Sequence, residues 1–91
     1  MQTYIAIIGE YRHNDFHPSY WNASPVYTRT YRILAEDMDD ARFRVDDFCN
    51  VYTESKNEFS KNTYENYSKD EDECVFKVIN INSVDSLQEI V

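Results

Sequence analysis

Up to Ala35 the apolar residues of this chain alternate or form short β-branched runs, whereas from Met38 they recur every three and four residues. A repeat of two belongs to a strand and one of 3.6 to a helix, so strand structure must give way to one long helix near Glu36. Before that point, Thr3 to Tyr11 is β-branched, aromatic and apolar on both alternating faces, which predicts a central strand. Val26 to Ala35 alternates Tyr27, Arg29, Tyr31 and Ile33 against Thr28, Thr30, Arg32 and Leu34, a second strand antiparallel to the first. Between them, His13 to Pro25 holds both prolines and predicts a long, aromatic-bearing loop.

Met38, Ala41, Val45, Phe48, Cys49 and Tyr52 mark one face of a helix over residues 37–55, with Asp37 placed to cap it and Val45 and Phe48 turned toward the sheet. Asp39, Arg42, Asp46, Asp47 and Asn50 fall on the opposite face. Lys56 to Glu73 turns polar and reads as an extension of the helix followed by a solvated loop. Cys74 to Ile81 is β-branched and predicts a third strand, after which Ser83 can cap a short terminal helix containing Leu87 and Ile90. The expected fold is α+β, a single domain over residues 1–91. A three-stranded, mainly antiparallel sheet carries one main helix in the order β-β-α-β, with a short C-terminal helical turn.

Composition narrows the chemistry. Hydrophobic residues make up 42% of the chain and aromatic residues 15%, enough for a core despite a mean hydropathy of -0.71. A single glycine excludes the loops that cradle phosphates in P-loop and dinucleotide-binding proteins, because their backbone must approach the ligand where a Cβ would intrude. No stretch approaches the roughly 18 apolar residues of a membrane span, and no basic segment followed by an apolar run opens the chain. These features predict a soluble, unprocessed, cytoplasmic protein with no membrane partner. Cys49 and Cys74 are not spaced as metal-ligand pairs and read as free thiols in a reducing compartment. Asn22-Ala23-Ser24 and Asn66-Tyr67-Ser68 match the glycosylation triplet, which has no meaning without secretion.

Charge is the most informative gross property: 17 acidic residues against 9 basic ones give a net charge of -8. Residues 1–34 carry +1, and residues 35–91 carry -9. Such a field disfavours direct nucleic-acid binding and predicts one strongly negative face. The candidate partner-binding residues are Glu36, Asp37, Asp39, Asp40, Asp46, Asp47 and Glu54 on and before the helix, then Glu65, Asp70, Glu71, Asp72 and Glu73 after it. Carboxylates on a rigid helix can imitate the regular phosphate charges of DNA and occupy a basic groove. They can equally form a solvated face that serves solubility. An EF-hand is excluded for want of its glycine and ligand spacing.

Phe16, Tyr20, Trp21 and Tyr27 form an alternative partner-binding set of residue types common in binding hot spots, or else they close the end of a small core. His13, Asp15 and His17 could face one ion, but the set lacks a fourth ligand, and no nucleophile context accompanies it. No metal, cofactor or catalytic residue is therefore assigned, and the chain is expected not to be an enzyme.

The stretch Arg29-Thr30-Tyr31-Arg32-Ile33-Leu34-Ala35-Glu36-Asp37-Met38-Asp39-Asp40-Ala41 resembles a strand-to-helix junction common in small phage and mobile-element proteins. In size, acidity and glycine poverty the chain is similar to phage-encoded inhibitors that resemble DNA, such as anti-restriction proteins, anti-CRISPR proteins and the uracil-DNA glycosylase inhibitor. The resemblance implies a small acidic inhibitor that occupies a basic nucleic-acid-binding surface of a host protein by DNA mimicry. The alternative is a structural or accessory subunit that assembles through the aromatic loop 13–27. A homodimer is open under either.

Overall fold

The computed structural model describes residues 1–14 and 21–84. The elements follow as β1 (Gln2–Arg12), β2 (Tyr27–Ala35), α1 (Met38–Thr63), α2 (Lys69–Asp72) and β3 (Cys74–Ser83). The strands form one antiparallel sheet in the order β2-β1-β3, with β1 central as its two-sided apolar pattern predicts. The fold is α+β, and α1 is the one main helix packed on the sheet.

Alternation decides which side of β1 meets the helix. Tyr4, Ala6, Ile8 and Glu10 are buried on one face, joined by Ala35 of β2 and by Cys74, Phe76 and Ile81 of β3. From α1 come Ala41, Val45 and Cys49, a four-residue repeat that keeps one narrow stripe against the sheet. β3 needs an irregularity to contribute on both sides of its middle. Phe76 and Val78 face the helix, and strict alternation would then bring Asn80 and Asn82 inward while leaving Ile81 outside. A bulge at Ile79, where the register with β1 shifts between Ile7 and Ile8, reverses the parity, so Ile81 is buried opposite Ala6.

Some expectations require correction. Phe48 is not inside: it is 42% exposed, because α1 packs chiefly against β3 and Phe48 stands on the flank of the helix that faces Tyr31 of β2. Its ring stands between Tyr31 and Tyr52, and Tyr52 in turn meets Phe76, so a row of four rings crosses from β2 to β3 beneath one flank of the helix. The helix continues past Lys56, as its polar extension predicts, and ends at Thr63, and the acidic run includes the short helix α2 in place of a loop. The connection after β1 runs over 13–26, as long as expected, and is pinned near its base: His13 bridges Trp21, the Asn22 amide donates to the Arg12 carbonyl, and Val26 N–H donates to the Glu10 carbonyl. Ser83 is the last residue of β3, and the expected terminal helix with Leu87 and Ile90 falls outside the described residues.

The helix start follows its sequence. Asp37 is the N-cap and accepts from the Asp40 amide at 2.8 Å. Asp40 reaches back with one oxygen to the Glu36 amide at 2.9 Å and is held by Arg44 one turn on. This reciprocal arrangement resembles a capping box, with the acid at the third helical residue satisfying a second free donor.

The distal half of α1 is anchored by polar side chains. Asn57 pairs with the backbone of Cys74 twice, Oδ1 accepting from N–H at 2.9 Å and Nδ2 donating to C=O at 2.8 Å. Thr53 Oγ1 accepts from the Phe76 amide at 2.9 Å. These bonds occupy the outward backbone groups at the start of β3, where a neighbouring strand would otherwise pair.

Candidate partner-binding face

Residues of α1 that are two positions from the buried stripe of Ala41, Val45 and Cys49 point about 200° away from it, into solvent. Asp39, Asp47 and the unexpected Phe43 stand at such positions, and all three are exposed. Glu54 and Glu58 continue the line toward the helix end, and both are exposed. Asp46 and Arg42 lie on the flank toward β3, lining a shallow groove with Asn50, Lys77 and Asn80. From Asp39 to Glu58 the rise is about 28 Å, so Asp39, Asp46, Asp47, Glu54 and Glu58 average one carboxylate per about 7 Å. A single DNA strand carries one phosphate per about 3.4 Å of axis. The helix is therefore a sparser row of charge than DNA, and Arg42 and Arg44 interrupt it.

Apolar groups fill some of the gaps. Phe43 is 73% exposed and Val51 56%, both on the uncovered side of α1. Sequence reasoning missed Phe43 and Val51 as binding candidates. The signal was present, since both lie off the three-and-four spacing that defines the buried stripe.

Not every candidate acid is available. Asp37 and Asp40 serve the helix start, and the Glu36 amide followed by Arg44 holds the Asp40 carboxyl below the ordinary carboxylate range. Glu36 is exposed beside them. By contrast, Asp39, Asp46, Asp47 and Glu54 enter no hydrogen bond or ion pair among the described residues. After the helix, Glu65 is exposed and Asp72 accepts from the Ser68 amide at 2.8 Å. Glu73 turns to His13, and the side chains of Asp70 and Glu71 lie outside the described residues. The structure thus collects Asp39, Asp47, Glu54 and Glu58 on one face, places Asp46 on its flank toward β3, and leaves Glu73 with a separate cluster.

That second cluster lies at the end of the sheet where β1 leaves it. Trp21 stacks on His13 with ring centroids 3.9 Å apart. The imidazole is nine-tenths buried, its Nε2 3.5 Å from a Glu73 oxygen without hydrogen-bond alignment, and neither ring nitrogen has a hydrogen-bond partner. Glu10, almost fully buried, accepts from Arg12 Nε and Nη2 at 3.2 and 3.1 Å. Cys74 points its thiol to Asn57 Oδ1, and burial pushes that thiol up, the opposite of an activated thiolate. Burial, then Asp46, pushes Cys49 up to about 11.

Of the aromatic set, Trp21 is committed to His13 on one ring face yet remains 41% exposed, and Tyr27 opens β2 and is exposed. Phe16 and Tyr20 lie outside the described residues, as do Asp15 and His17. No group of three metal-ligating side chains occurs among the described residues, and none of their helices is long and apolar enough to cross a membrane. No protein-family model, curated protein or solved structure matches the chain.

Proposed function

We propose that this is a non-enzymatic binding protein that lays the uncovered face of α1 on a basic, nucleic-acid-binding surface of a second protein and thereby blocks it, in the manner of a DNA mimic. One observation carries the reading. A 26-residue helix, tied to the sheet along its length, holds Asp39, Asp47, Glu54 and Glu58 free toward solvent with Phe43 exposed among them. Carboxylates fixed in this way require no reorganisation on binding and steer a positive partner from a distance. Because the row is sparser than DNA, charge supplies approach and register, while Phe43 and Val51 supply the apolar anchoring typical of interface centres.

The test is capture from bacterial lysate on the immobilised protein, with identification of what is retained. The reading expects retention at low salt, release at high salt, displacement by duplex DNA, and loss of capture on replacing Asp39, Asp46, Asp47 and Glu54 by Asn or Gln. Salt-insensitive capture that survives all four replacements but is lost on Trp21→Ala contradicts it and supports assembly through the aromatic loop.

A further inference from the structure

The two edges of the sheet are treated differently. At β3, Asn57 and Thr53 occupy the outward backbone groups of Cys74 and Phe76, and the Ile79 bulge breaks the ladder beyond them. β2 has no such protection: it pairs with β1 without a register shift from Tyr27 to Ala35, contains no proline, and its outer backbone edge meets no bonding partner among the described residues. An uncovered, regular edge strand of this length is a template for another strand.

We infer that the edge of β2 pairs antiparallel with the β2 of a second copy of this chain, forming a six-stranded sheet with both α1 helices on one face. Cys74 and Phe76 direct their backbone groups away from β1, so their partners Arg12 and Glu10 direct theirs toward β2, as the bonds from Asn22 and Val26 also indicate. Alternation then leaves Thr28, Thr30, Arg32 and Leu34 with outward N–H and C=O groups. A two-fold axis at Tyr31 pairs Thr28 with Leu34 and Thr30 with Arg32 of the other copy. It uses the full strand and makes about eight inter-strand hydrogen bonds, within the usual range for a specific interface.

The charge of β2 is compatible with a second copy, and use of the full strand sets the register. β2 carries Arg29 and Arg32 and no acid, in a chain of net charge -8, so two copies meet with least repulsion along it. The register sets Arg29 opposite Ile33 and Arg32 opposite Thr30; no arginine is directly opposite another, and the two Arg32 side chains are diagonal neighbours across the axis. On the helix-bearing face it also brings the exposed side chain of Tyr27 toward the apolar groove formed by Tyr31, Ile33 and Phe48 of the other copy.

Sedimentation velocity of the full chain over a wide concentration range tests this inference. The expected mass rises from the 10.9 kDa monomer to twice that value. Thr30→Pro removes one outward N–H and should weaken association at least tenfold, while circular dichroism confirms the fold. A second readout does not depend on that variant. Under mild oxidation Tyr31→Cys should give a covalent dimer, because the axis places the two positions about 4.5 Å apart, whereas Ile33→Cys should not. Monomer at every concentration overturns the inference, as does a dimer indifferent to Thr30→Pro or covalent dimer formed equally through position 33.

Discussion

Asn57→Ala probes the link between the polar half of α1 and the edge of β3. In the native protein the side-chain amide acts as a short piece of strand, donating to the Cys74 carbonyl at 2.8 Å and accepting from its N–H at 2.9 Å. Cys74 is 2% exposed, so water cannot readily replace what is removed. A typical hydrogen bond contributes about 1 kcal/mol net, and a buried group left without a partner costs about 1–3 kcal/mol. The expected loss is about 2–3 kcal/mol, a fall in melting temperature of about 10–20 °C for a domain of this size. Urea unfolding followed by circular dichroism measures it, with exposed Asn50→Ala as a control expected to stay within about 0.5 kcal/mol. Asn57→Asp should be similarly harmful at pH 7, where a carboxylate oxygen faces the Cys74 carbonyl. Relative to wild type it should recover near pH 4, because the protonated acid can donate and its folded pKa lies above its unfolded one. An Asn57→Ala protein as stable as the control refutes the anchoring role.

Three further outcomes follow from the packing. Val45→Ala, at a site 1% exposed, should cost about 2 kcal/mol in chemical unfolding, while Phe48→Ala should cost less than the 3–5 kcal/mol of a buried phenylalanine; a full Phe48 penalty contradicts its half-exposed place. Gly9→Ala would put a Cβ 2.9 Å from Ile79 Cδ1 and 3.0 Å from Pro25 Cβ, so it should destabilise by about 1–2 kcal/mol, partly relieved in a double-mutant cycle with Ile79→Val, and no coupling refutes the close approach. With its pKa at about 11, Cys49 should react with an aromatic disulfide reagent at pH 8 at least a hundredfold more slowly in the native protein than in urea, and rapid native labelling contradicts that burial.

The parts legible in the sequence are those written in apolar periodicity. The two-sided apolar run placed β1 at the centre, and Ala41, Val45 and Cys49 gave the buried stripe of α1. Asp37 identified the helix start because a short acceptor side chain can satisfy its free donors. Periodicity could not tell that α1 lies off centre, chiefly against β3, and that offset moves Phe48 from the core to its rim. Nor could it show that Thr53 and Asn57 anchor the second half of the helix, since polar side chains bonding to strand backbone leave no hydropathy signal. The bulge at Ile79 was hidden because Val78-Ile79-Asn80-Ile81 reads as an unbroken strand, and only the register reveals the extra residue. In the candidate face, acidity was plain from composition. The division between free acids such as Asp39 and Asp47 and the capping acids Asp37 and Asp40 required backbone geometry.

The central claim is that the uncovered face of α1 binds through its carboxylates, and its most direct measurement is the affinity for the captured partner as a function of salt. The wild-type logarithmic affinity should fall with the logarithm of salt concentration, and replacing Asp39, Asp46, Asp47 and Glu54 by Asn or Gln should make that dependence distinctly shallower and abolish competition by duplex DNA. Equal affinity and parallel salt dependence for the two proteins would contradict the account.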